Sequence, residues 1–349
     1  MIGLRPISTY LINVQSRQYV ADTQKRLQQA SQELATGLVA DAYESLGMSS
    51  AQSISLRSML SQTEDFVTQN KLLMTKLDTQ AEALVSVREA AQQALDLAVQ
   101  SVTEPTATTR TIQNEARTAI ERMAQSLNVS LNGEFLFAGI DSGTMPVVQA
   151  GQEVPEDGRT PLEIVADLIG DLSDTDAAFA AIDNFFDADQ SAPTDNYEGT
   201  LYQASPDGSA RRSARIDHNE TLEYGIQASD EAFTEIFKGL YMLAATNVAD
   251  ISDGKTYAKY MEKAVGAVST GISQLQDAES RLGGQQQLLE QVQRRQEDQA
   301  VILNNRVVAM EHVDPYDAQV RMTLLETQLQ ATYNVSARLG QMSFVHWMR

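Results

Sequence analysis

Residues 261–310 read MEKAVGAVSTGISQLQDAESRLGGQQQLLEQVQRRQEDQAVILNNRVVAM, a stretch without a proline. Stepping through it by four and three from Met261 meets Val265, Val268, Ile272, Leu275, Glu279, Leu282, Gln286, Leu289, Gln293, Gln296, Ala300, Leu303, Val307 and Met310. Eleven of these 15 positions are apolar, so the stretch predicts one long helix with a coiled-coil-like seam. The helix should run from about Tyr257 to His312, roughly 80 Å at 1.5 Å per residue, with Gly283-Gly284 as a local weakness. It should stop at HVDPYD. There Asp314 reads as the N-cap of a further helix, Pro315 as its first residue and Asp317 as a favourable acid in its first turn.

A second run of the same kind begins at Leu60 and passes through Thr63, Val67, Asn70, Met74, Leu77, Ala81, Leu84, Arg88, Ala91, Leu95, Ala98 and Val102, with ten of 13 positions apolar. A shorter helix, from about Thr108 to Leu131, should fold back after the turn TEPT, because Pro105 cannot continue a helix. Both ends of the chain are striped too. Ile7, Leu11, Val14 and Ala21, then Leu27, Ala30 and Leu34, lead to a stop at Thr36-Gly37. Beyond Pro315, Val320, Leu324, Ala331, Val335, Leu339 and Met342 share one stripe, and Leu329 lies on the same apolar tail. From 323 to 349 that tail carries only Glu326, Arg338 and Arg349 as charges, and alone it would leave its stripe in water.

The middle differs in texture. Residues 141–228 hold 18 acids against 4 bases, a net of −14, whereas residues 1–50 and 306–349 each hold 4 of either sign. PLEIVADLIGDL and Asp174 to Asp189 read as helical. SPDG at 205–208 reads as a turn, and RIDHNETLEYGIQA at 215–228 as two short strands, around Ile216 and around Leu222, Tyr224 and Ile226, joined at Asp217 to Glu220. The fold class expected is therefore mainly α: an elongated rod of long antiparallel coiled-coil-like helices contributed by both termini, with a small acidic α+β domain inserted mid-chain. The divisions expected are 1–45 with 306–349 for terminal helices, 46–140 with 229–305 for the rod, and 141–228 for the insert.

Composition removes several function classes. A net charge of −21 with no basic block does not suit phosphate neutralisation, so no nucleic-acid partner is expected. No cysteine means no disulfide framework, thiolate metal site or cysteine nucleophile. No stretch approaches the roughly 18 apolar residues of a membrane span. The opening MIGLRPISTYLINVQSRQYV lacks the pattern of a secretory signal, so any export should use no cleaved leader. His218, His312 and His346 have no ligand spacing, and Asp167, Asp171, Asp174 and Asp176 lack the spacing of a calcium loop. No phosphate-binding glycine loop or serine elbow occurs. The reading is of a non-enzyme without metal or cofactor, whose surface is made for other helices.

RLQQASQELATGLVADAYESLGMSSAQSISLR, residues 26–57, resembles the amino-terminal motif of the bacterial flagellin family, and VDPYDAQVRMTLLETQLQATYNVSARLGQMSF, residues 313–344, resembles its carboxy-terminal helix. YESLGMSSA departs from that family's more usual acidic pair. Within LNVSLNGEFLFAGIDSGTMPV, residues 127–147, the tract Phe135, Leu136, Phe137, Ala138 and Gly139 followed by Pro146 is most similar to the hook–filament junction branch of the family. The resemblance covers residues 1–147 and 210–349. It implies a structural protein in which the terminal helices pair and pack against neighbouring copies, with Asp314 and Pro315 opening the last helix. Ile7, Leu11, Val14, Leu27, Leu34, Val320, Leu324, Leu329, Val335, Leu339 and Met342 are the expected assembly residues. The implied partners are further copies of the chain in a ring, hook-associated protein 1, flagellin and an export chaperone on the last helix. A filament flagellin, and a ligand-binding module on a coiled-coil stalk, stay open as alternatives.

Overall fold

The computed structural model describes residues 9–41, 47–102, 109–155, 157–170, 172–186, 196–204 and 211–347. The turn at Pro105, the turn at 205–208, the stretch Asp187 to Asp189 and Ile7 lie outside them, as do the side chains of Leu11, Leu339 and Met342. The architecture is mainly α, as the periodicity predicts. The chain divides into two compact units: Met1–Asp65 with Arg295–Arg349, the terminal unit, and Phe66–Arg294, the central unit.

Helix α1, Thr9–Thr36, ends where Gly37 takes a φ of 71° and donates its N–H to the Glu33 carbonyl at 2.8 Å. This is the glycine stop expected at Thr36-Gly37. Helix α2, Ser50–Val99, places its first turns in the terminal unit and the rest in the central one. Helix α3, Thr109–Leu127, ends four residues before its pattern suggests. The reason is a hairpin that the helical reading runs over: β1, Ser130–Leu131, pairs with β2, Glu134–Phe135. Asn132 and Gly133 both have positive φ, 55° and 83°, the backbone that a two-residue hairpin turn needs.

In the insert, helix α4, Pro161–Ile169, starts with a capping box between Thr160 and Glu163. Helix α5, Thr175–Phe186, and the helical turn α6, Tyr197–Thr200, follow. Strands β3, Arg212–Asp217, and β4, Glu220–Tyr224, form an antiparallel pair with a register shift at Ile216; Ile226 lies beyond β4. These elements share one hydrophobic core with α2, α3 and α8, the helix Gly254–Glu311. That long helix runs through Gly283-Gly284 without a break.

The centre of this core is α7, Glu231–Ala245, a helix that the search for one-sided stripes passes over. Its sequence EAFTEIFKGLYMLAA is apolar nearly all round, and every residue from Ala232 to Ala244 except Glu235 is buried. A helix of that kind has no polar face to leave in water. Lys238 is buried with it and pairs with Glu235 at 2.5 Å and Asp183 of α5 at 3.5 Å. The last helix, α9, runs Pro315–Trp347, with Asp314 Oδ1 accepting the Tyr316 N–H at 2.9 Å.

Candidate assembly surface

Among the described residues, the terminal unit has very little core of its own. Its buried apolar cluster consists of Leu56 from α2 with Leu303 and Val307 from α8, and Leu60 and Met310 pack against it. Yet of the 18 large apolar side chains exposed among the described residues, 13 belong to this unit, which holds about a third of the chain. Exposed apolar groups scattered over a surface need no explanation. Concentrated on the long helices of one unit, they make up the candidate surface.

Helices α1 and α9 pack against each other. On α9 the seam is Ala318, Met322, Leu325, Leu329, Thr332 and Ser336, all buried or half-buried at heptad spacing. On α1 it is Ser16, Val20, Thr23, Leu27, Ala30 and Leu34. The contact is partly polar: Ser16 and Ser336 share a hydrogen bond of 2.7 Å, Gln24 donates to the Tyr333 hydroxyl at 2.9 Å, and Arg321 pairs with the buried Glu33 at 3.2 Å. Of the residues named from the sequence, Leu27, Leu34 and Leu329 therefore line the pair itself. Val14, Val320, Leu324 and Val335 point away from it, the last three 49%, 65% and 55% exposed. The stripe read along α9 is this outward one, and Tyr316 extends it.

Sequence reasoning missed the joint where the pair begins. Leu38 bridges His312 in antiparallel fashion; the Val39 N–H donates to the Glu311 carbonyl and the Val313 N–H to the Gly37 carbonyl, both at 2.9 Å. The Glu311 side chain is fully buried and accepts hydrogen bonds from Ser53 and, at both oxygens, from Arg57, whose Nε lies 2.8 Å away. Hydrogen bonding from Arg57 holds this carboxyl below the usual carboxylate range, outweighing the upward push of burial, with Ser53 and the guanidinium charge adding to it. Glu311 is the last residue of α8 and on the sequence looks like one more charge at a helix end.

The tract 135–139 sits in the central unit. Leu136, Phe137 and Ala138 are buried, and Phe137 meets Phe233 of α7 edge-on at 6.1 Å between centroids. Gln80 donates to the Leu136 carbonyl at 2.8 Å, the Ala228 N–H to Phe137 at 3.0 Å, and Arg212 of β3 to the carbonyls of Gly139 and Phe135 at 2.5 and 3.3 Å. Gly139 has φ of 61°, the left-handed backbone that favours glycine, and a Cβ there would press within 2.7 Å of the Gln227 amide nitrogen. Arg212→Ala should destabilise the central unit by about 2 kcal/mol, the cost of removing charged hydrogen bonds to half-buried carbonyls. Urea unfolding followed by circular dichroism would measure it, and an unchanged midpoint would count against the clamp.

The sequence matches the family model for the bacterial flagellin N-terminal helical region over residues 7–142 and that for the bacterial flagellin C-terminal helical region over residues 265–348. A search among curated protein sequences found no match. Among solved structures, the fold is similar to that of a flagellar hook-associated protein from Vibrio parahaemolyticus, 13% identical, with a TM-score of 0.52 over 76% of this chain and 98% of that one. FlgL of Bacillus cereus, 12% identical, aligns over 72% of this chain and 98% of its own with a TM-score of 0.48.

Proposed function

Because this chain belongs to the bacterial flagellin family, and is thereby a flagellar axial protein, we propose that it forms the ring joining hook to filament. In this reading hook-associated protein 1 lies on one side and flagellin on the other. The observation that carries self-assembly is the terminal unit's surface: among the described residues it holds 13 of the 18 exposed large apolar side chains, beside a small core of its own. The junction, rather than the filament, is favoured by the tract from Phe135 to Gly139 with Pro146 after it, the stretch most similar to the junction branch.

Val14, Val320, Leu324 and Val335 then contact neighbouring copies, together with Ile7, Leu11, Leu339 and Met342. Leu27, Leu34 and Leu329 hold each copy's own helix pair, and Asp314 and Pro315 set where α9 begins. Before assembly, the exposed stripe of α9 suits an export chaperone.

Immunogold labelling of isolated flagella tests the location. Label confined to the base of each filament, at its union with the hook, is expected. Label along the whole filament would make this chain a filament flagellin, and its absence from sheared flagella would overturn an axial role.

A further inference from the structure

The joint at Glu311 suggests more than a well-made helix end. One residue ties three segments. Its carbonyl takes the Val39 N–H from the exit of α1, its carboxylate takes Ser53 and Arg57 from the start of α2, and the turn into α9 follows it directly. Its side chain is fully buried, whereas that of Arg57 is 57% exposed. Burying a carboxylate away from water is costly unless donors replace the water, and here those donors come from α2.

We propose that the Glu311 carboxylate is a charge-gated latch: ionised, it fastens the α1–α9 pair to the start of α2, and protonated, it lets that pair go while the central unit stays folded. The claim stands on the geometry of the terminal unit and does not depend on where in the flagellum the chain sits.

A protonated carboxyl loses the ionic attraction to the guanidinium and turns one of its two acceptor oxygens into a donor, so the latch weakens by the charged part of its bonding. Among the described residues, the charged and titratable groups around the joint are Arg57 on α2, Glu33 and Asp41 on α1 and its exit, His312 and Asp314 on the turn, and Arg321 on α9. Glu33 has separate partners, Arg321 and the Ala40 N–H at 3.3 Å. Arg57 raises the ionised fraction of Glu311, so its folded value lies below its unfolded one. The latch is therefore complete above the ordinary carboxylate range and is lost as pH falls through the folded value.

Hydrogen exchange of the full-length monomer, read by mass spectrometry and corrected for the intrinsic pH dependence of exchange, tests this. In the wild type, protection of α1 and α9 should fall as pH drops through the carboxylate range, by at most about tenfold for each unit separating the folded from the unfolded value. Peptides from the central unit should keep theirs. Glu311→Gln should show reduced protection of α1 and α9 already at pH 7 and no acid step. Arg57→Lys, which keeps a charge but loses the two-pronged contact, should move the step to higher pH. Wild-type protection in Glu311→Gln at pH 7, or an acid step that persists in that variant, would overturn the latch.

Discussion

Gly239→Ala is expected to destabilise the central unit by about 3 kcal/mol or more, at the upper end of what overpacking costs. A Cβ at this position would stand 2.4 Å from Val268 Cγ2, 2.5 Å from the Ala264 carbonyl oxygen and 2.9 Å from the Val268 nitrogen. Two of those are backbone atoms, so no rotamer change relieves the clash and α7 must move off α8. Gly271 makes the reciprocal approach, 2.6 Å from Ile236 Cγ1 and 2.8 Å from the Ala232 oxygen and the Ile236 nitrogen. Moving the helices apart would loosen Phe233, Ile236 and Leu240, which are completely buried, and forfeit their dispersion contacts. Gly271→Ala should cost a similar amount, and the double variant less than the sum, because one displacement relieves both. Gly283→Ala is the control: nothing lies within 4 Å of its Cβ, so a gain of about 0.5 to 1 kcal/mol in helix propensity is expected. Urea midpoints with unchanged slopes are the measurement. A wild-type midpoint for Gly239→Ala would show that the helices do not cross this closely.

Val335→Asp should abolish incorporation into flagella while leaving the monomer's helicity unchanged, and Leu324→Asp should do the same. Both side chains are more than half exposed in the single chain, so a carboxylate there meets water and costs the monomer little. On assembly each would forgo burial of the original side chain, worth about 1.5 to 3 kcal/mol, and would bury an unpaired charge. The penalty recurs in every subunit. Leu329→Asp should fail differently: Leu329 is half-buried in the seam with α1, so the α1–α9 pair should lose protection in the monomer before assembly is tried. Glu153→Ala, at an exposed site in the insert, should assemble normally. The readout is subunit recovered in sheared flagella beside the circular dichroism of purified monomer. Normal recovery of both outward variants would show that this stripe is not an assembly face.

The long helices were legible because their signals are local. Three-and-four stepping from Met261 to Met310 picks out most of α8, which runs Gly254–Glu311, and Thr36-Gly37 and Asp314-Pro315 mark ends that depend only on neighbouring backbone. The hairpin of β3 and β4 was legible for the same reason. The hairpin at Asn132-Gly133 was written in the sequence with equal clarity, but the apolar run around it reads as helix when the turn is not weighed. Helix α7 has no one-sided stripe to find, since burial on all sides erases the contrast between faces.

What the residues could not decide was which apolar face of a helix has a partner within the chain. Helical spacing places Leu27 and Leu34 on one side of α1 and Val14 on another, and likewise separates Leu329 from Leu324 and Val335 on α9. Periodicity defines faces; it does not say what covers them. The tertiary structure decided that Leu27, Leu34 and Leu329 close the pair while the others face outward. It also decided that Gly239 and Gly271 are points of close approach, and that Glu311 is a buried joint rather than a solvated charge. Each of these depends on segments separated by tens to hundreds of residues, whose encounter is set by packing of the whole chain and not by the propensities of any stretch.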